Sequence, residues 1–337
     1  MKLRHKIAGT LALPLALAIA GAANAATVYD DEKQTLKIGG YVAAQAGWTI
    51  YDASTDDSDV DYGMGLSLSR LNIAYTQKTS AGDITYLYEN DWAGAQPSGG
   101  NYRLRHAAIK YDGWVAGFTW SGFANLTGLA ETIDAGGTSG KSANAQRTAT
   151  LGKNIAIADG MSVGVFVEDH SHAFTTGGSA SGRTANTPLP DLVANFKGDF
   201  GVAQAFAAVR MQQVDKAGSA PAETEGSVDV TLGVNSQVAD PVNVKAALTS
   251  FDSGDLGVSV AGQFKISDQV RTNLVVEQFV GDVKNTDYTA IWVNGFYKMD
   301  AGWEWGAELR SVSADAGAVN GLSDKDMSFT LQAKYAF

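Results

Sequence analysis

Residues Ser328–Phe337 read SFTLQAKYAF. Phe329, Leu331, Ala333, Tyr335 and Phe337 fall on one parity, and Ser328, Thr330, Gln332, Lys334 and Ala336 on the other. Side chains of a strand point alternately to opposite faces, so one face of this segment suits lipid and the other water. Chain ends usually fray. Here the apolar parity continues to Phe337, and the pattern predicts a strand that runs to the terminus.

The same alternation recurs upstream. SVDVTLGV sets Val228, Val230, Leu232 and Val234 against Ser227, Asp229, Thr231 and Gly233, and GWEWGAEL sets Trp303, Trp305, Ala307 and Leu309 against Gly302, Glu304, Gly306 and Glu308. Two kinds of connection separate such segments. Short turns are predicted at Ser80–Gly82, Asp112–Gly113, Asp159–Gly160, Gly198–Gly201, Ala239–Pro241, Ser267–Asp268 and Asp300–Gly302, with Asp-Gly a strong hairpin signal. Longer polar loops are predicted at Asp52–Gly63, Ala93–Asn101, Ser121–Ala145, Ser171–Thr187, Gln213–Glu225 and Ala314–Ser323. Short and long connections alternate, as in a chain weaving through a membrane with tight turns on the periplasmic side and long loops outside. The fold class is therefore all-β, a transmembrane antiparallel β-barrel of about 16 strands. With both ends periplasmic, the last strand pairs with the first, LKIGGYVAAQAGWTIY.

The amino-terminal residues agree with export. Lys2, Arg4 and Lys6 precede an apolar run that closes on Ala23-Asn24-Ala25, the three parts of a secretory signal. The run is broken by Gly9, Thr10 and Pro14 and is short of the roughly 20 apolar residues that span a bilayer. The expected organisation is a cleaved signal over residues 1–25, a short periplasmic segment over 26–35 and the barrel over 36–337. The chain of 337 residues has 38 Gly, 6 Pro and no Cys, which excludes a disulfide scaffold and cysteine-ligated metal. Loss of the three basic signal residues lowers the formal net charge from −11 to −14, which makes nucleic acid an unsuitable partner. No stretch of the mature chain is long and apolar enough for a transmembrane helix, and a closed barrel is the other structure that satisfies its backbone inside lipid.

Residues Asn101–Gly137 read NYRLRHAAIKYDGWVAGFTWSGFANLTGLAETIDAGG. The RLRHA run at Arg103–Ala107, GFTWS at Gly117–Ser121 and ETIDAGG at Glu131–Gly137 resemble the DcaP-like porins of Gram-negative outer membranes, and LKIGGYV and SRLNIAY resemble that family's first two strands. The resemblance is specific over about residues 36–137 and generic beyond. It implies a sixteen-stranded barrel, a homotrimer in outer-membrane lipid and lipopolysaccharide, passive uptake of small hydrophilic solutes with dicarboxylates among them, and an inward-folded third extracellular loop at Ser121–Ala145. Some members carry a helical extension before the barrel, whereas only Ala26–Thr35 stand there in this chain, so the trimer would rest on barrel walls.

A porin makes and breaks no bonds and needs no cofactor; pore width and the charges at the constriction set its selectivity. Parity sends Arg103 and Arg105 of YRLRHAAIK inward with Ala107, and places Leu104, His106 and Ala108 on the lipid face or at a trimer interface. In SRLNIAY, Leu71, Ile73 and Tyr75 mark the lipid face and send Arg70 and Asn72 inward. Arg271, Glu277, Glu304, Glu308, Arg310 and Lys334 are inward by the same rule, since Lys or Arg facing lipid at mid-bilayer costs about 2–4 kcal/mol. Arg70, Arg103 and Arg105 are the candidate basic wall of the constriction, and Glu131 and Asp134 the acidic loop opposite, a pairing that would set a transverse field across the opening. Overall charge favours cations and the arginines favour anions; the nearer charges carry more weight because screening acts over about 8 Å. The expectation is a preference for small organic anions, with a general cation-preferring porin as the alternative.

Other motifs are weaker. Gly136–Ser142 lacks the first glycine of a phosphate loop, because position 135 is Ala135. His170 and His172 offer no third metal ligand. Gly160–Gly164 matches the nucleophile-elbow pattern around Ser162 but opens an alternating strand rather than a strand-to-helix turn. A phospholipase-type barrel hydrolase assembled from distant residues is the enzymatic alternative, and a soluble exported β-solenoid lacks the fixed repeat it requires.

Overall fold

The computed structural model describes residues 25–51, 60–93, 102–133, 142–169, 189–215, 224–281, 287–300, 302–314 and 325–337. The described residues form eighteen strands and no helix. In chain order these are β1 (Ala26–Asp30), β2 (Gln34–Tyr51), β3 (Val60–Gly65), β4 (Arg70–Thr79), β5 (Gly82–Asp91), β6 (Arg103–Tyr111), β7 (Trp114–Trp120), β8 (Arg147–Ala158) and β9 (Met161–Glu168). They continue with β10 (Asp191–Asp199), β11 (Ala203–Asp215), β12 (Thr224–Ala239), β13 (Val242–Ser250), β14 (Leu256–Lys265), β15 (Val270–Val280), β16 (Tyr288–Lys298), β17 (Trp303–Ala314) and β18 (Lys325–Ala336). Every pairing is antiparallel, neighbours in sequence other than β3 and β4 pair in the sheet, and β18 pairs with β2 to close it.

Eighteen strands make sixteen staves because two staves are broken. β3 and β4 lie end to end along the same edge of β2, β3 opposite Gln45–Ile50 and β4 opposite Gln34–Tyr41. β18 and β1 lie end to end along its other edge: Ala336 is opposite Tyr41, Phe337 exchanges both backbone bonds with Gly40 at 3.1 Å, and Ala26 then stands opposite Ile38. Residues 26–30 of the segment expected ahead of the barrel thus pair with β2 as a strand, exposed along their length. Their backbone groups need partners, and the edge of β2 below Phe337 supplies them. Gly40 lies where both edges of β2 change partner. It has φ +154°, and a Cβ there would stand 2.1 Å from the Arg70 carbonyl oxygen, so only glycine permits this approach.

The short connections join strands at one end of the barrel and the long ones at the other. Outward positions carry exposed apolar side chains: Leu274 and Val276 on β15, Leu309 on β17, and Phe329 and Leu331 on β18. The intervening positions face inside. In β15 Asn273, Val275, Glu277 and Phe279 are buried between exposed neighbours, the reverse of a soluble protein and the pattern of a lipid-embedded wall. Ser162, centre of the elbow-like motif, sits in β9, which continues as strand to Glu168.

Inside the barrel two apolar clusters pack against the long β7–β8 connection. Ala130 of that connection joins Ala261, Val275, Tyr288, Ala290, Trp292 and Val312, and Phe123 joins Phe166, Val193, Phe206 and Ala208. The ring of Phe166 lies where Cβ atoms of Gly122, Gly152 and Gly164 would stand 2.1–2.5 Å from it. Three missing side chains thus make room for one aromatic that seats the start of the connection.

Candidate functional site

A chain segment inside a barrel brings backbone groups away from bulk water, and each needs a partner. The wall strands provide these partners for the β7–β8 connection around much of the circumference. Glu168 on β9 accepts from Ser121 Oγ and from the Gly122 N–H at 2.6 Å, and Asn195 on β10 donates to the Gly122 carbonyl at 2.6 Å. Asn125 donates to the Leu232 carbonyl on β12 at 2.6 Å, and Lys245 on β13 to the Leu129 carbonyl at 3.2 Å. The Ile133 N–H donates to Glu308 on β17 at 2.7 Å, and its carbonyl accepts from Gln45 on β2 at 3.2 Å. Ser142 donates to Glu277 on β15 through its hydroxyl and its N–H. Only a segment crossing the interior reaches all these strands, so the third long connection is folded inward.

These contacts revise the parts expected of several acids. Glu131 stands across the barrel from the arginine wall, but its charge is paired there. Its carboxylate is held by Arg271 at 2.6 Å, with Gln263 and Asn273 also donating to it. Arg271 in turn pairs with Glu304 at 2.9 Å, and Lys334 takes the other oxygen of Glu304. Glu277 accepts from Ser142 and from Tyr288 Oη at 2.6 Å, and Glu308 accepts from Ile133 and from Asn294 Nδ2 at 3.0 Å. The physical reason is that inward acids are the nearest acceptors for the donors of a loop packed in the lumen. Asp134, His170 and His172 lie outside the described residues.

The three candidate arginines stand together on the opposite wall. Asp91 on β5 accepts from Arg103 Nη2 at 2.6 Å and from Arg105 Nη1 at 2.8 Å; Glu89 accepts from Arg105 Nε at 2.6 Å and lies 3.7 Å from Arg70. Arg105 is buried, whereas the Arg103 side chain is 43% exposed. Tyr41 on β2 lies under the Arg70 guanidinium at 5.2 Å, a cation–π contact. Asn72, next on the inner face of β4, is buried opposite Glu89. Arg310 also faces inward, half-buried, with no acceptor for its Nε among the described residues.

Strict alternation misplaced His106. The β5–β6 ladder skips a residue between Glu89 and Asn90, so Glu89 faces His106 and Asn90 faces Leu104. The extra residue, Arg105, is a bulge that reverses parity beyond it. His106 therefore lies inside and Ala107 on the exposed face. His106 is buried, with Nδ1 2.9 Å from Thr119 Oγ1 and Nε2 accepting from Arg147 Nε at 3.4 Å. Arg147 stacks on Trp120 at 3.4 Å and is a fourth guanidinium of this group that parity did not nominate. Glu89 and Asp91 were also missed, although the outward Tyr86 and Tyr88 between them mark both acids as inward. Three guanidiniums share two carboxylates here, with Arg147 beside them on His106 and Trp120, and Arg70 Nε, Asn72 Nδ2, Trp120 Nε1 and Arg147 Nη2 are buried donors without an acceptor among the described residues.

No protein-family profile and no curated protein sequence matches the chain. Solved structures do. The outer membrane channel DcaP of Acinetobacter baumannii is similar with a TM-score of 0.75 at 21% identity, covering 93% of this chain and 100% of that one. An anion-selective porin from Comamonas acidovorans matches with a TM-score of 0.65 at 13% identity over 90% of this chain and 100% of its own. OmpF of Salmonella typhi, solved with daunomycin, matches with a TM-score of 0.65 at 12% identity over 93% and 100%. The chain has the fold of the outer-membrane porins, a class that sits in the outer membrane of Gram-negative bacteria. Among these barrels it resembles DcaP, the family to which the Arg103–Gly137 motifs pointed.

Proposed function

We propose that this protein is an outer-membrane porin, a water-filled channel for passive diffusion of small hydrophilic solutes, and that it favours small organic anions such as dicarboxylates. The observation that carries the preference is the group of Arg70, Arg103, Arg105 and Arg147 beside the root of the inward loop. Its two carboxylates leave an excess of two positive charges among the described residues, the charge a dicarboxylate would balance. The buried donors that lack an acceptor point the same way. Guanidinium forks suit carboxylates in particular, because two parallel N–H groups match two oxygens. The reading includes removal of residues 1–25 on export and a homotrimer embedded in outer-membrane lipid and lipopolysaccharide, both open to mass spectrometry of the native protein.

The test is the reversal potential of purified protein in a planar bilayer under a salt gradient, for wild type and the R103A/R105A double variant. Discrete conductance steps with an anion preference that the variant loses are the expected result. Steps with cation preference would favour the general cation porin, and an absence of steps would overturn the channel.

A further inference from the structure

We propose that Lys110 and Lys197 form a second anion-binding station in the periplasmic half of the lumen, below the arginine group. The proposal rests on the anion-channel reading and deepens it. Lys110 lies one residue before the end of β6 and faces inside, opposite Thr85 and Val115, while Ile109 beside it is exposed on the outer wall. Lys197 lies two residues before the end of β10, opposite Ser162 and Phe206, on the same face as Asn195, which contacts the inward loop. Both strands run down to short turns, so both ammonium groups stand near the same end of the barrel, within electrostatic reach of each other.

Neither lysine has a carboxylate partner among the described residues, in contrast to Arg105, Arg210, Arg271 and Lys334, each of which does. The nearest inward acid along β10, Asp199, accepts from the Gly201 N–H and Gln204 instead. Two like charges inside the barrel with no carboxylate partner among the described residues attract a mobile anion. Lys110 is five residues from Arg105, about 17 Å at ~3.3 Å per residue. That exceeds the span of a small dicarboxylate and is about two screening lengths at physiological salt, so the lysines act as a separate site. Throughput needs binding strong enough to admit the solute and successive sites weak enough to release it. A second station below the first meets that need.

The test compares wild type, R103A/R105A, K110A/K197A and K110R/K197R in planar bilayers, each checked for folding by heat-modifiable gel migration. Succinate is the probe, added separately from the short-turn side and the long-loop side. Expected for K110A/K197A is a severalfold rise in the succinate concentration that half-blocks chloride current from the short-turn side, with little change from the other side and recovery in the arginine variant. If the alanine variant fails to fold, K110Q/K197Q carries the same comparison. Wild-type block in K110A/K197A, with R103A/R105A still losing selectivity, would overturn this station alone. A wild type without anion preference would overturn the channel reading as well.

Discussion

Among individual residues, Arg105 and Arg103 separate structure from selectivity. Arg105 holds two buried carboxylates at once, Glu89 and Asp91. Arg103 bonds one of them while much of its side chain stays in water. Removing Arg105 leaves buried Glu89 without its nearest partner and Asp91 with Arg103 alone, so R105A is expected to lower stability by about 3 kcal/mol, and R103A, whose side chain is largely in water, by about 1 kcal/mol or less. Urea unfolding in lipid vesicles followed by tryptophan fluorescence would rank them; equal losses would contradict this division. Glu89 and Asp91 were legible from Tyr86 and Tyr88 beside them. His106 was not, since a one-residue bulge is decided by how two strands meet and leaves no periodic trace.

Among elements, the inward loop depends on wall acids. Glu168 takes its first donors, Glu308 its middle and Glu277 its far end. Replacing Glu308 by Gln removes the charge that strengthens the bond from the Ile133 N–H while keeping size. E308Q is expected to leave the barrel folded but to loosen the loop, seen as greater open-channel noise and a conductance about 1.5-fold above wild type or less, because other tethers remain. Identical noise in E308Q and wild type would show that this tether carries little. The turns and strands were readable from alternation and Asp-Gly punctuation. The joining of β18 to β1 was not, because collinear pieces from opposite chain ends are related only through their shared partner β2.

For the whole molecule, an apolar outside and a polar, loop-filled inside make lipid part of the fold. Val276 lies on the outward face near the middle of β15. V276R should cost about 2–4 kcal/mol in a bilayer, measured as a lower urea midpoint in vesicles. The same substitution in a barrel whose β15 faced water outside would be nearly neutral, so a neutral result would contradict the lipid-facing assignment. Fold class, strand number and the two faces were determined by the sequence itself, because a period of two reports which side of a wall each residue occupies. The tertiary structure alone decided which inward charges remain available to a solute. Glu131 and Arg271 are far apart in the chain and cancel inside the barrel, as Arg210 and Asp229 do across β11 and β12, whereas three arginines share two acids on another wall with Arg147 beside them. Parity places a charge inside; only distances between strands say what neutralises it.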